Sequence, residues 1–292
     1  MPELPDIAVY VEHLEARLLG QILRKVTLAN PFILRTVEPP VADAVGRRVE
    51  GVRRLGKRIV LALDGERFLV LHLMIAGRLR WRDADAKPPG KIALASFVFD
   101  AGLLYLTEAG TKRRASLHYV AGEAALAVLD PGGLDVFAID AAQFAERIAR
   151  GNHTVKRALT DPRLFSGIGN SYSDEILHRA KMSPFELGAK LAPVDSARLH
   201  DAAKQVLAEW TQRLREETGD DFPDKVTAFT RRWPCTAAMA SPARSAPRRC
   251  SASSTPRTNR TTAHAARPTA SYSPIARCHA CCTTAGRRIS IS

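Results

Sequence analysis

The chain begins with Met1, Pro2 and Glu3, which together could place a reactive amine beside a carboxyl group. Proline in the second position normally leads to removal of the initiator methionine, and this leaves Pro2 with a free secondary amine. An α-amino group has a pKa of about 8, far below that of a lysine ε-amine. Such an amine can attack the C1′ atom of a sugar and form a Schiff base, while Glu3 moves protons during ring opening and elimination. Because the same residues also begin proteins without this chemistry, the rest of the chain must decide.

A glycine-rich turn farther along the chain could bind phosphate. The segment from His153 to Glu175 is predicted to form a helix, a turn at Gly167-Ile168-Gly169-Asn170 and a second helix. Glycines permit tight or left-handed backbone, and Asn170 is predicted to cap the second helix. The backbone N–H groups at this helix start are expected to bind phosphate, and Lys156 can add a cation nearby. An ordinary helical hairpin is the alternative for this motif taken alone.

The elements that must position these motifs follow from apolar spacing and turn residues. Short runs rich in Val, Ile and Leu predict β-strands at residues 22–29, 48–54, 58–63, 67–73, 78–82, 92–99, 102–107 and 115–120. Helices are predicted over residues 5–19, 122–129, 141–150, 154–165, 171–181 and 194–217. Many short strands at this spacing predict a β-sandwich or barrel.

We therefore expect an α+β protein with three parts. Residues 1–130 are predicted to form an N-terminal catalytic β-sandwich domain with flanking helices, and residues 131–229 a helical domain. The hinge between them is placed at Asp130-Pro131-Gly132-Gly133. Ala, Arg, Ser, Thr and Pro make up 48 of the 63 residues in the tail, 230–292. Because such a composition cannot build a core, we expect the tail to be disordered.

The net charge of +13 suggests a nucleic-acid partner, but its distribution weakens that argument. The tail contains 11 Arg and no Lys, Asp or Glu, so subtracting those 11 charges leaves only +2 for the first 229 residues. The N-terminus does not resemble a signal peptide, because charged residues interrupt its apolar stretch. No apolar run reaches the length of a membrane span. We expect a cytoplasmic protein with no membrane partner.

Four motifs together resemble one known family. Besides the Met-Pro-Glu-Leu-Pro start and the turn from Gly167 to Glu175, the chain has Leu55-Gly56-Lys57-Arg58, and Leu71-His72-Leu73 followed by Gly77-Arg78-Leu79. Over residues 1 to about 229, the sequence resembles the formamidopyrimidine-DNA glycosylase and endonuclease VIII family. The resemblance implies a bifunctional base-excision repair enzyme with a helix–two-turn–helix domain. Its partner would be damaged double-stranded DNA, and we expect a monomer associated with the bacterial nucleoid.

The resemblance also implies roles for individual residues. The damaged nucleotide would be flipped out of the duplex, Pro2 would attack C1′ and Glu3 would transfer protons. The Schiff base would then promote β,δ-elimination, with Lys57 on the phosphate beside the lesion. The positions that the family pattern assigns to DNA binding are His72, Arg78, Lys156, Gly169 and Asn170.

Three positions depart from the family pattern. Asp6 stands where the family usually has Glu. The family's methionine wedge, which fills the gap left by the flipped base, falls near Ile75, beside Met74; either side chain is an apolar candidate. The loop from Glu108 to Arg114 lacks the family's Phe, so the preference for the opposite base is not carried over.

The start of the chain favours one branch of the family. Leu4-Pro5 indicates the branch that excises oxidised purines, namely formamidopyrimidine and 8-oxoguanine. The alternatives are an oxidised-pyrimidine glycosylase of the endonuclease VIII type and a non-catalytic protein that binds damaged DNA.

The cysteines do not fit the zinc ribbon that usually ends members of this family. That ribbon has the pattern Cys-x2-Cys-x16-Cys-x2-Cys, and four thiolates hold the metal in a tetrahedron. All five cysteines lie in the tail, at positions 235, 250, 278, 281 and 282, and only Cys278 and Cys281 match the pair spacing. We therefore predict no metal site and no cofactor in this chain. Loss of the ribbon, which carries an Arg to the DNA, is expected to impair activity.

We interpret the tail as the product of a shifted reading frame. If the last base of each codon is read with the first two of the next, Trp233-Pro234 gives Ala and Met239-Ala240 gives Gly. The window from Arg232 to Ala240 then permits Met-Ala-Val-His-Gly-Arg-Tyr-Gly, similar to the segment that enters the ribbon. Cysteine is permitted at the junctions after residues 242, 245, 262 and 265, in the spacing of the ribbon. The alternative is a basic tail that tethers the protein to DNA.

Overall fold

The computed structural model describes residues 1–87, 90–109 and 113–224. Eight strands lie in this part of the chain: β1 (Leu23–Leu28), β2 (Val49–Leu55), β3 (Arg58–Leu63), β4 (Arg67–His72), β5 (Gly77–Arg82), β6 (Ala93–Phe99), β7 (Gly102–Glu108) and β8 (Ser116–Ala121). The same part contains six α-helices: α1 (Leu4–Leu18), α2 (Glu123–Ala127), α3 (Ala141–Ala149), α4 (Val155–Thr160), α5 (Asn170–Ala180) and α6 (Pro193–Thr218).

The strands form two antiparallel sheets with a shared core. The first sheet has the order β1-β6-β7-β5 and the second the order β2-β3-β4-β8. Alternate residues of each strand point inward, as the period of two requires, so both sheets contribute to one apolar cluster. That cluster includes Ile59, Leu71 and Leu117 from the second sheet, Phe97 and Leu106 from the first, and Ile7, Tyr10 and Leu14 from α1. The structure thereby confirms the predicted β-sandwich and its α+β class.

The outer face of the second sheet is also covered. Val60, Val70 and Val120, on three neighbouring strands, pack with Leu126 of α2 in a smaller apolar cluster. This apolar cluster supports polar residues at one end of the same face of the sheet.

The helical part is organised around α6, which contacts α1, α3 and α5. Aromatic rings fill its core: the Phe144 ring lies 4.7 Å from that of Phe165 and stacks on His200 at 4.8 Å. Helix α6 thus packs against both α1, the first helix of the chain, and α5, which follows the glycine turn.

One predicted helix was too long. The pattern predicted a helix over residues 154–165, but α4 ends at Thr160. Asp161 has φ −75° and ψ 115°, an extended conformation, because the ring of the following Pro162 disfavours helical backbone in the preceding residue. The Asp161 carboxylate then accepts the backbone N–H of Arg163 at 2.9 Å, which stabilises the turn.

Within the described residues, no helix is long and apolar enough to cross a membrane. The tail lies outside these residues, since the described part of the chain ends at Asp224. The predictions of a disordered tail and of a shifted reading frame therefore fall outside the described residues.

Candidate active site and nucleic-acid interface

The first turn of α1 holds two carboxyl groups close to the N-terminus. Glu3 is the N-cap residue of α1, and its backbone N–H donates to Asp6 Oδ2 at 2.7 Å. Asp6 thus satisfies the backbone N–H of Glu3 itself, whereas the Glu3 carboxylate has its partner elsewhere in the chain.

That partner is the start of α5. The Glu3 carboxylate, only 1% exposed, accepts backbone N–H groups from Gly169 at 2.6 Å, Ser171 at 3.0 Å and Tyr172 at 3.3 Å. The first N–H groups of a helix have no partner within the helix and favour a negative charge. Glu3 therefore caps a helix that begins far away in the sequence.

Two sequence predictions about this turn are wrong. Asn170 does not cap α5: Gly169 is the N-cap residue, and Asn170 is the first helical residue, with its side chain exposed. The helix-start N–H groups of Gly169, Ser171 and Tyr172 do not face outward for phosphate, because the Glu3 carboxylate occupies them. Contact of Asn170 and Gly169 with DNA stays a prediction.

The two glycines of the turn permit the close approach. Gly167 has φ +83°, which side-chain-bearing residues rarely adopt, and its carbonyl accepts the N–H of Leu4 at 2.9 Å. A Cβ atom at Gly169 would lie 2.5 Å from the carboxyl carbon of Glu3. The glycines are therefore required by contact with the N-terminus.

The N-terminal amine lies in surroundings that favour its neutral form. The structure contains Met1, and burial lowers the pKa of its amine, assisted by Arg78 and Lys57 and opposed by Glu3 and Asp6. Pro2 is buried beside it. After removal of Met1, the Pro2 nitrogen would become the amine next to the same carboxyl groups.

Both carboxyl groups hold their protons more tightly than exposed ones. Burial raises the pKa of Glu3, and the charge of Lys57 and the α5 N–H groups offset part of that rise. Burial also raises the pKa of Asp6, to about 7, and the charge of Glu3 raises it further. Within the described residues, Asp6 Oδ1 has no hydrogen-bond partner. A group such as Asp6, which titrates near neutral pH, can both take and return protons. From the sequence, Asp6 was noted only as a departure from the family pattern. Its position three residues after the N-cap residue of α1 was the signal that could have identified its role.

Lys57 occupies the tip of a two-residue hairpin. Gly56 and Lys57 connect β2 to β3, and the φ of +61° at Gly56 permits this tight turn. Burial lowers the pKa of Lys57, and the charge of Glu3 opposes that change. Arg54, which the sequence analysis did not identify, fixes the hairpin by bonding to Ser166 Oγ at 3.1 Å and forming an ion pair with Asp135.

The loop between β4 and β5 presents the candidate wedge. Ile75 is 61% exposed, whereas Met74 is half-buried with φ +53°. Of the two, Ile75 has the more accessible side chain, and its role as the wedge stays a prediction. Arg78 donates to the carbonyls of Gly77 at 2.7 Å and Ile75 at 3.3 Å, which holds the loop beside the N-terminus.

Lys156 has a negatively charged partner, whereas His72 lies among positive charges. Lys156 is ion-paired, with its Nζ 2.5 Å from Asp174 Oδ1, so its contact with phosphate stays a prediction. His72 ends β4, and its pKa is lowered to about 4 by burial and by the charges of Arg58, Lys57 and His118.

Two family models match the parts of the chain that form this site. The formamidopyrimidine-DNA glycosylase N-terminal domain matches residues 1–115, and the formamidopyrimidine-DNA glycosylase H2TH domain matches residues 133–218. The chain belongs to the formamidopyrimidine-DNA glycosylase family.

Curated relatives agree with this assignment. The formamidopyrimidine-DNA glycosylase of Heliobacterium modesticaldum is 32% identical over 221 residues, covering 72% of this chain and 78% of the relative. That of Acidovorax sp. strain JS42 is 33% identical over 219 residues, covering 73% and 79%.

Solved structures of the family share the fold. MutM from Thermus thermophilus is 31% identical, with a TM-score of 0.64 over 72% of this chain and 76% of that one. The Lactococcus lactis glycosylase, solved bound non-covalently to DNA containing an AP site, has a TM-score of 0.66 and covers 72% of this chain and 82% of its own. At 24% identity, the Lactococcus structure supports the fold alone.

The residues of this chain do not fit the zinc ribbon that the family implies. The described residues contain no group of three or more His, Cys, Asp or Glu side chains suited to a metal ion. The five cysteines lie outside the described residues, and their spacing supplies one Cys-x2-Cys pair rather than two.

Proposed function

We propose that this chain is a base-excision repair glycosylase with AP lyase activity, which removes formamidopyrimidine and 8-oxoguanine from duplex DNA. The observation that carries the proposal is the Glu3 carboxylate held by the start of α5 beside the N-terminal amine. The names of the curated relatives, formamidopyrimidine-DNA glycosylases, support both the substrate class and DNA as the partner.

The glycosylase step uses Pro2 as the nucleophile. Its nitrogen forms a bond to C1′ as the bond from C1′ to the base breaks, and the departing base takes a proton from water. Glu3 or Asp6 accepts the proton that the Pro2 nitrogen loses. A carboxyl group then protonates O4′, the C1′–O4′ bond breaks and an iminium joins Pro2 to the opened sugar.

The lyase step follows from this iminium. Loss of a C2′ proton breaks the C3′–O3′ bond and releases the 3′ phosphate, and a second elimination at C4′ and C5′ releases the 5′ phosphate. Water then hydrolyses the iminium and restores free Pro2. Lys57 is assigned to the phosphate beside the lesion, where its charge holds the strand during both eliminations.

Trapping with borohydride tests the proposal on the 292-residue chain. Reduction in the presence of an abasic duplex should join the sugar to Pro2, and peptide mass spectrometry should locate the adduct there. A protein that only binds damaged DNA would leave no adduct. Undiminished strand cleavage after acetylation of the N-terminal amine, or by a preparation that retains Met1, would contradict the role of Pro2.

A duplex panel separates the two enzymatic branches. Duplexes with 8-oxoguanine or formamidopyrimidine should be nicked faster than one with thymine glycol. The reverse order would indicate the endonuclease VIII type instead. We also propose that activity is lower than in a relative that carries the four-cysteine ribbon, and equal rates in the same panel would contradict this.

A further inference from the structure

Three buried oxygen atoms near α1 have no hydrogen-bond partner. Within the described residues, six buried side-chain nitrogen or oxygen atoms lack a partner, and Asp6 Oδ1, Tyr10 OH and Asp224 Oδ1 are three of them. Asp6 and Tyr10 are fully buried and stand one helical turn apart on the same face of α1. An unpaired buried polar group costs free energy, so this concentration of unpaired oxygens indicates a ligand that they share.

Tyr10 connects the candidate active site with the segment that follows α6. The charges of both Asp6 and Asp224 act on its hydroxyl, and its ring lies 5.8 Å from that of Phe222. The Leu79 N–H also acts on the hydroxyl, but it makes no hydrogen bond of ordinary geometry with it. Burial raises the pKa of Tyr10 well above its usual value, so the hydroxyl keeps its proton and can both donate and accept a hydrogen bond.

Asp224 also lines a cleft of about 640 Å³. Phe222 contributes to the same lining, as do Arg82 and Glu217, which are exposed, so the cleft is in contact with solvent. Asp224 Oδ2 accepts Arg80 at 3.3 Å and Arg82 at 3.0 Å. These two bonds leave its Oδ1 for another partner.

Charged and titratable groups from several elements face Asp6. Glu3 and the N-terminal amine act on it from the start of α1, and Arg78 acts on it from β5. On α5, burial and then the charge of Asp6 raise the pKa of Tyr172. Arg78 acts on Tyr10 as well. Asp6 has a pKa of about 7 among these groups, raised first by burial, and a further donor to its Oδ1 would favour the charged form.

We propose that Asp6, Tyr10 and Asp224 hold internal water molecules that carry protons between Asp6 and the cleft. Buried waters typically make about three hydrogen bonds to polar groups that would otherwise be unsatisfied, and the three unpaired oxygens would supply such bonds. The need for the route rests on the proposed function, because the two eliminations release protons while DNA would cover the open side of the site.

The transfer moves one proton and leaves each group chemically unchanged. The Asp6 carboxyl gives its proton to the first water, which passes one of its own to the Tyr10 oxygen as the Tyr10 hydroxyl proton moves to the next water. The proton leaves at the cleft, where Asp224 or solvent accepts it. Tyr10 is not ionised in this sequence, in keeping with its raised pKa.

Titration of the Asp6 carboxyl by carbon-13 NMR tests the water site without DNA. Tyr10→Phe removes only the hydroxyl oxygen, so the Asp6 carboxylate loses a bridged donor. Its titration midpoint should rise by up to about one pH unit, the equivalent of one hydrogen bond of ordinary strength. Tyr119→Phe, which removes a hydroxyl that donates to Asp43 at 2.8 Å, should leave the midpoint unchanged. An Asp6 midpoint that does not move in the Tyr10→Phe chain would overturn the water site.

A second measurement needs no variant. In the unaltered chain, nuclear Overhauser contacts should join the Tyr10 ring to water that is held in place rather than exchanging freely. Absence of such contacts would also overturn the water site.

Single-turnover cleavage of an abasic duplex by the full chain tests the proton route. Asp224→Asn removes the carboxylate at the cleft end and should slow cleavage severalfold. Because proton transfer would then limit the rate, replacing H2O by D2O should slow this variant more than the control. The control is Asp100→Asn, which breaks the exposed ion pair with Arg24. An Asp224→Asn chain that matches the control in both solvents would overturn the route.

The outcomes separate this proposal from the proposed function. If the unaltered chain does not cleave the abasic duplex, the proposed function fails, and the Asp6 titration still decides whether the water site exists. Normal cleavage combined with an unshifted Asp6 midpoint in Tyr10→Phe would overturn the water site and leave the proposed function intact.

Discussion

The Glu3 carboxylate accepts the backbone N–H of Gly169 at 2.6 Å, although 166 positions separate the two residues in the chain. The contact leaves no room for a side chain, since a Cβ at Gly169 would lie 2.5 Å from the Glu3 carboxyl carbon. The position of the proposed proton-transfer group is therefore set by a residue of the helical part.

Gly169→Ala should displace Glu3 without removing it. A misplacement of about 1 Å can cost on the order of 100-fold in rate, and we expect a loss of that size in single-turnover nicking of an 8-oxoguanine duplex. Gly51→Ala is the matched control, because nothing lies within 4 Å of a Cβ at Gly51. Nicking by the Gly169→Ala chain at the rate of the control would show that the Glu3 position is unimportant.

Asp6→Asn should change how stability depends on pH. The Asp6 carboxyl is fully buried and its pKa is about 7 in the folded chain, against about 4 in an unfolded one. The folded state thus binds the Asp6 proton more tightly than the unfolded state does. The resulting stabilisation of the fold is complete below pH 4 and is lost as the pH rises through 7. The contribution to the slope is at most about 1.4 kcal/mol per pH unit.

Urea denaturation between pH 4.5 and pH 7.5 measures this effect. The free energy of unfolding of the Asp6→Asn chain should fall less steeply with rising pH than that of the unaltered chain. Glu3 contributes in the same direction, so part of the slope should persist. Asp85→Asn, at an exposed position between β5 and β6, should keep the full slope. Equal slopes in the two variants would refute the assignment to Asp6.

Lys57→Gln should weaken DNA binding and alter proton transfer together. Loss of one phosphate contact reduces the slope of log affinity against log salt by about one. Because the charge of Lys57 lowers the pKa of Glu3, its removal should also move the Glu3-dependent limb of the pH–rate profile to higher pH. Lys25→Gln, on the exposed edge strand β1, should change neither quantity. A variant with normal salt dependence would argue against a phosphate at Lys57.

Ile75→Ala should impair base flipping while leaving the fold intact. Ile75 is 61% exposed, so its truncation should change the free energy of unfolding by less than about 0.5 kcal/mol. The fluorescence of 2-aminopurine beside the lesion should show at least a tenfold slower flipping step, and Ile75→Met should restore it. Val194→Ala, at the 71% exposed second residue of α6, serves as the control. Unchanged flipping in the Ile75→Ala chain would exclude the wedge.

Much of the fold follows from local patterns. All eight predicted strands are confirmed within one or two residues at their ends, because runs rich in Val, Ile and Leu and the turn residues between them are local signals. The end of α4 was misjudged because apolar spacing outweighed the effect of Pro162 on the residue before it. The division into domains at residues 130 and 229 stays a prediction.

The site was less predictable, because its contacts join distant parts of the chain. Local capping rules assigned the start of α5 to Asn170, whereas the cap comes from Glu3 across the fold. Lys156 appeared to be a free cation because its partner Asp174 lies 18 residues away. The Arg54 contact with Ser166 spans 112 residues and has no local signal.

The bond from the Leu4 N–H to the Gly167 carbonyl has a consequence for a chain that is still being synthesised. The segment that accepts this bond emerges from the ribosome long after the N-terminus, so a nascent chain has its amine but no fixed proton donor beside it. A proteolytic fragment that ends before the glycine turn has the same defect. We therefore expect the proposed chemistry only in a chain whose synthesis has passed this turn.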